Sequence, residues 1–188
     1  MHDYTLVIVD VQSDFWAARH KPTLKAIKRE VKLAKKRRLP IVVMEVHRAD
    51  GMGKATATGR DLNSLAFLPP DPARRRPVPK RRTNAPTHPK ILQELDGYDR
   101  KIVVFKGQSD GSLELIMECH RLQLERPRFR LCGVNTDVCV LKTALGLAEL
   151  RPLTPLEIVQ DACNTEYEQN CWDRFRVAPN IVLLPTGT

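Results

Sequence analysis

The sequence predicts an α/β protein, a three-layer α/β/α sandwich around a mostly parallel six-stranded sheet. Three observations predict it. Short apolar runs rich in β-branched residues recur without polar alternation, which marks strands buried on both faces. Segments of helical length and 3.6-residue periodicity separate them. The distance from one run to the next suits right-handed βαβ crossovers. The 188 residues suffice for one domain with a full core, so a single domain over 1–188 is expected.

Residues 4–10, YTLVIVD, read as the first strand. Over 23–38, Leu24, Ile27, Val31 and Ala34 share one helical face, and the opposite face is strongly basic. LPIVVMEV, 39–46, is the second strand. Residues 47–86 are rich in Gly, Pro, Arg and Thr and lack sustained periodicity. The proline-broken basic stretch 71–89 is expected to be a surface loop. A short helix is expected near 87–96. The alternation then resumes, with strands at 101–106, 128–134, 156–161 and 180–184. Helices are expected between them at 110–124, 136–150 and roughly 166–176.

A hydrophobic fraction of 42% and a charged fraction of 28% suit a globular chain. No apolar run approaches the roughly 20 residues of a membrane span, and LVIV is too short for a signal-peptide core. A soluble, cytoplasmic protein with no membrane partner is expected. Five cysteines, an odd number with no CxxC pair, argue against a disulfide framework and structural zinc. Most are expected to be buried thiols, with one chemically active.

The formal charge of +9 favours anionic partners. Its densest run is ARRRPVPKRR, 73–82. Solvated surface is the favoured reading there. The other reading is capture of an anionic substrate or of a nucleic-acid backbone. No aromatic residue interleaves the run, so base stacking has no support.

In open α/β sheets, ligands bind beyond the carboxyl ends of the strands, at a switch in strand order. Three polar residues stand at such ends: Asp10 after LVIV, Lys106 after KIVVF, and Cys139 just after LCGV. Cys139 falls in the first turn of the helix expected at 136–150, with Thr136 or Asp137 as N-cap. The dipole there favours a thiolate. Asp10 is suited to take the thiol proton and later to activate water. Lys106 is suited to stabilise the anionic centre and to hold the carboxylate ionised. Backbone N–H groups before Cys139 are candidates for an oxyanion hole. Singly, each residue also has a plain structural reading: a loop-capping aspartate, a solvated lysine, a packed cysteine. Together, at three strand ends, they suggest a mechanism.

The motifs carrying these residues resemble the isochorismatase-like cysteine hydrolase family, which includes nicotinamidases, carbamoyl-amide hydrolases and isochorismatases. The resemblance starts at LVIVDVQSDF, 6–15, and continues through VVFKGQSDG, 103–111. It is strongest at CGVNTDVCVLKTA, 132–144, and extends to IVQDACNT, 158–165. It implies a Rossmann-like fold, with Asp10 as base, Lys106 as electrostatic partner and Cys139 as nucleophile. It also implies a cis bond between Val134 and Asn135, with the amides of Asn135 and Cys139 forming the oxyanion hole. Gln12, Phe15, Trp16, His47 and Thr136 become candidate substrate-binding residues. A homo-oligomer is implied, as is hydrolysis of a C–N bond in a small molecule through a thioester.

Two departures bear on the substrate. The stretch MEVHRADGMGKATATGR, 44–60, holds a single histidine, His47, where nicotinamidases of the family carry a histidine cluster for metal. No metal and no cofactor are expected, and nicotinamide is disfavoured as substrate. After Lys106, GQSDGS keeps Ser109 but has Gly111 where many relatives carry an aromatic, which suggests a wider or more polar pocket. The favoured reading is a metal-independent amide or carbamoyl hydrolase. The alternatives are an isochorismatase-type vinyl ether hydrolase and a non-catalytic binding or regulatory protein on the same scaffold.

Overall fold

In the computed structural model, residues 3–46, 85–167 and 171–185 are described. His47 and the basic run 73–82 lie outside them. Six strands form one sheet: β1 (Thr5–Val9), β2 (Ile41–Val46), β3 (Lys101–Lys106), β4 (Phe129–Val134), β5 (Leu156–Asn164) and β6 (Ile181–Leu184). Their order is β3-β2-β1-β4-β5-β6, and every neighbouring pair is parallel. The sheet is thus wholly parallel. The order reverses between β1 and β4, which makes the crevice above those two strands the expected ligand site.

Helices cover both faces. On one side lie α1 (Lys21–Lys36) and α2 (Pro89–Leu95), each with a proline in its first turn, where no intrahelical N–H is lost. Leu24, Ile27, Val31 and Ala34 of α1 pack with Leu6, Ile8, Ile41 and Val43 of the sheet. On the other side lie α3 (Ser112–Arg121) and α4 (Leu141–Leu150), closing a second core around Val7, Val9, Val42 and Leu131. Successive strand residues point to opposite faces, so β1 is buried along its whole length and carries no alternation.

The expected elements are present, with three differences. The strand expected to stop at Asp161 runs on to Asn164, across a register shift opposite Leu131 and Gly133. Asp161 does not break it, because Arg29 of α1 pairs with its carboxylate at 2.8 Å. The helix expected over 136–150 opens with a separate wide turn, Thr136–Val140, before α4 begins. In the region of the helix expected over 166–176, residues 166–167 form a bend and Cys171–Val177 a tight 3₁₀ segment.

Gly133 has to be glycine. Its φ is 146°, and a Cβ there would sit 2.1 Å from the carbonyl oxygen of Val9. That close approach brings the end of β4 against the end of β1, at the switch point.

Candidate active site

Asp10 follows β1 directly and adopts a left-handed conformation, φ 51°, which aspartate tolerates better than most residues. Its side chain is fully buried. Lys106 ends β3, two strands away, at a lateral distance of about 9–10 Å given the usual strand spacing. Only a long side chain can cross that gap beside β2. The stem passes Gly111, where an added Cβ would lie 2.5 Å from Lys106 Cδ and 2.3 Å from Met44 Cε. Gly111 therefore leaves room for the lysine.

The Lys106 ammonium lies 2.8 Å from Asp10 Oδ2. It also donates to the carbonyl oxygens of Gln108 and Ser109, at 3.0 and 3.1 Å. Two hydrogen bonds to carbonyls and one ion pair thus compensate the buried ammonium. Neither Asp10 oxygen has a well-aligned hydrogen-bond donor among the described residues. The contact with Lys106 is one of charge and proximity, and the carboxylate keeps accepting capacity for the Cys139 thiol beside it.

Cys139 sits in the wide turn after β4, buried but for 8% of its surface. The chain enters that turn through Asn135, whose φ of 58° and ψ of 55° are left-handed. Asparagine takes this conformation readily. It reverses the chain by itself, and the Val134–Asn135 peptide is trans: no cis bond occurs among the described residues. The expected cis bond is therefore corrected. The Asn135 carbonyl accepts from the N–H groups of Val138, Cys139 and Val140, at 3.0, 2.8 and 3.3 Å. The Cys139 amide, expected in an oxyanion hole, is committed to that carbonyl here. One acceptor shared by three amides is what widens the turn.

The protonation state also differs from expectation. Burial pushes the Cys139 thiol up to about 12, and the neighbouring Asp10 carboxylate adds to the rise. Lys106 and a hydrogen bond from Ser109 act in the opposite direction and are outweighed. The start of a helix does not suffice for a resting thiolate. Asp10 is itself held above the ordinary carboxylate range, first by burial, with Lys106 and Cys139 opposing. Burial thus raises both Asp10 and the Cys139 thiol, and Lys106 opposes the rise at each.

The other candidates fall into distinct places. Thr136 is buried, and its hydroxyl has no hydrogen-bond partner among the described residues. Phe15 packs against the α1-side core, whereas Trp16 is 61% exposed. Gln12 is fully buried, and its amide is engaged with backbone. Oε1 accepts from Val46 N–H at 2.9 Å, and Nε2 donates to the Ala85 and Val46 carbonyls at 2.6 and 3.3 Å. It ties β2 to the return of the chain at residue 85. Glu45 adds to this, accepting from Thr87 N–H and Oγ1 at 2.8 and 2.7 Å.

Thr143 has a place that motif reading leaves unassigned. It is fully buried, one helical turn after Cys139. It accepts from Gly111 N–H at 3.2 Å and lies 3.5 Å from the Ser109 carbonyl, to which its hydroxyl donates. The turn that receives the Lys106 ammonium is thus pinned to the helix that follows the thiol. The four-residue spacing, which places Cys139 and Thr143 on one helical face, is the signal in the sequence. No group of three or more metal-ligating side chains occurs among the described residues. No helix among them is long and apolar enough to cross a membrane.

The isochorismatase-domain family model matches residues 4–172. No curated protein matches the sequence. Among solved structures, N-carbamoylsarcosine amidase from Thermoplasma acidophilum aligns with a TM-score of 0.66 at 16% identity, covering 99% of this chain and 98% of that one. MAR1 ribonuclease from Caenorhabditis elegans aligns at 0.65 and 16% identity, covering 97% and 77%. The nicotinamidase SaPncA from Staphylococcus aureus aligns at 0.63 and 13% identity, covering 98% and 100%. At such identities the structural likeness speaks for the fold, and the family match is independent of it. The chain therefore belongs to the isochorismatase family, whose members are hydrolases.

Proposed function

We propose that this hydrolase cleaves the C–N bond of a small amide, carbamoyl or ureido compound through a thioester on Cys139, without a metal. The observation that carries this reading is the buried contact of Lys106, Asp10 and Cys139 at the switch point, with Asp10 Oδ2 2.8 Å from the ammonium. The Cys139 sulfur attacks the carbonyl carbon while its proton passes to Asp10. The tetrahedral intermediate collapses, the C–N bond breaks, and Asp10 returns the proton to the leaving nitrogen. Water then attacks the thioester, giving a proton to Asp10 and finally restoring the thiol. Lys106 keeps Asp10 ionised at the outset. The Asn135 amide and the unpartnered Thr136 hydroxyl are assigned to the substrate oxygen. N-carbamoylsarcosine amidase and the nicotinamidase among the structural neighbours are amidases by name, in keeping with C–N cleavage.

A screen for ammonia release across small amides and ureides tests the reading. Cys139→Ala should abolish turnover of any substrate found while leaving the circular dichroism unchanged. Full activity in that variant rules the mechanism out. The upward shift of Asp10 gives some support to a second reading, acid-assisted vinyl ether hydrolysis, in which the thiol is dispensable. Turnover of isochorismate by Cys139→Ala would select it.

A further inference from the structure

We propose that the groove between α1 and α2 is a docking surface for a single strand of nucleic acid, held by its phosphodiester backbone. The groove has a volume of about 490 Å³. Its walls carry Lys21, Lys25, Lys28, Arg29, Lys32 and Lys90, with the buried Leu24 at its floor and no carboxylate in the lining. Five of the six cations stand on α1. The helix's only carboxylate, Glu30, is 1% exposed and held inward by Arg29 and Arg130.

Pairing leaves much of this charge uncompensated. Glu94 serves Lys28 at 3.2 Å and Lys32 at 4.0 Å, and Asp161 serves Arg29. Lys21, Lys25 and Lys90 have no ion pair among the described residues. Lys21 and Lys25, Lys25 and Arg29, and Lys28 and Lys32 are each four residues apart, so like charges face one another along the helix. This arrangement works against the helix unless an anion lies along it. From Lys21 to Lys32 the stripe runs about 16 Å, long enough to meet several phosphates of one strand.

The partner's class follows from what the groove lacks. Membrane-surface helices expose large apolar residues beside their cations, but Leu24, Ile27 and Val31 of α1 all lie in the core. The lining exposes no apolar or aromatic anchor of the kind that most protein interfaces centre on, so an acidic polypeptide binding better than the oligonucleotide in the test below would also overturn the proposal. Without an aromatic platform, recognition is independent of sequence.

Fluorescence anisotropy with the full chain and a labelled oligouridylate of about 20 nucleotides tests this. Binding should weaken with salt, with a log–log slope near about −3 if roughly four phosphates are neutralised. Lys25→Glu with Lys32→Glu should weaken binding more than about tenfold, while Arg121→Glu with Lys142→Glu, of equal net charge and outside the groove, should change it little. If the reversed pair does not fold, Lys25→Gln with Lys32→Gln replaces it, with a smaller loss in the same direction. Cys139→Ala should bind as wild type, because the groove shares no residue with the catalytic set. Absence of binding, equal loss in both charge-matched pairs, or preference for phosphatidylserine vesicles over the oligonucleotide would overturn the proposal.

Discussion

The Lys106 ammonium lies 2.8 Å from Asp10 Oδ2, and neither side chain reaches solvent. One strand, β2, separates their backbones. A buried ion pair spanning a sheet in this way is costly to desolvate and adds little net stability. In the proposed mechanism its value is chemical: Lys106 opposes the rise that burial imposes on Asp10, beside a thiol that burial also raises.

Removing one partner should therefore be worse than removing both. Lys106→Met leaves Asp10 buried without its cation, at a cost of about 3–5 kcal/mol. Asp10→Asn with Lys106→Met removes the pair together and should be less destabilised than Lys106→Met alone. Urea unfolding of the two singles and the double measures the coupling. Strictly additive losses would argue against the pair as described.

The buried thiols fix the sign of an alkaline effect. Cys119, Cys139 and Cys163 are pushed from 9.0 to about 12 by burial, and Cys132 is raised well above 9.0. Between those values the unfolded chain loses protons that the folded chain keeps. Stability from this source is complete below about pH 9 and falls as pH rises, by on the order of 1 kcal/mol per pH unit for each thiol. Urea midpoints at about pH 8 and pH 10.5 should show the loss, and Cys119→Ala should reduce it. For activity the direction comes from Asp10. It must be ionised to accept a proton, so the acid limb of the rate profile should lie above the ordinary carboxylate value of 3.8.

Thr143 acts through the turn that holds Lys106. Thr143→Val removes its bond from Gly111 N–H and its contact with the Ser109 carbonyl. The expected stability loss is about 1–2 kcal/mol. The readout specific to positioning is a fall in kcat with little change in KM, rescued by Thr143→Ser. Equal activity of the valine and serine variants would reduce Thr143 to a packing role.

Much of this was legible in the sequence. LVIV and FRLCGV read as strands because a parallel sheet covered on both faces demands continuous apolar runs, and KIVVFK reads as a strand too, although at the sheet edge its Val103 and Phe105 are exposed. The three chemical residues stood out because they follow such runs. What was not legible depends on strand order and burial. Nothing local to Lys106 says that it will cross β2 to reach Asp10. Gln12 reads as a pocket residue until Val46 and Ala85 occupy its amide. The thiolate expected from the helix start is opposed by burial and by Asp10, both of which raise the Cys139 thiol. The turn geometry was carried by Asn135, which adopts a positive φ and leaves its peptide trans.

The central claim is that Asp10 makes Cys139 a nucleophile. Alkylation by iodoacetamide at neutral pH, mapped by peptide mass spectrometry in wild type and Asp10→Asn, tests it without a known substrate. Cys139 should label faster than Cys163, which is equally exposed at 8%, and Asp10→Asn should slow it by roughly tenfold or more. Labelling of Cys139 at the rate of Cys163, unchanged by Asp10→Asn, would contradict the account.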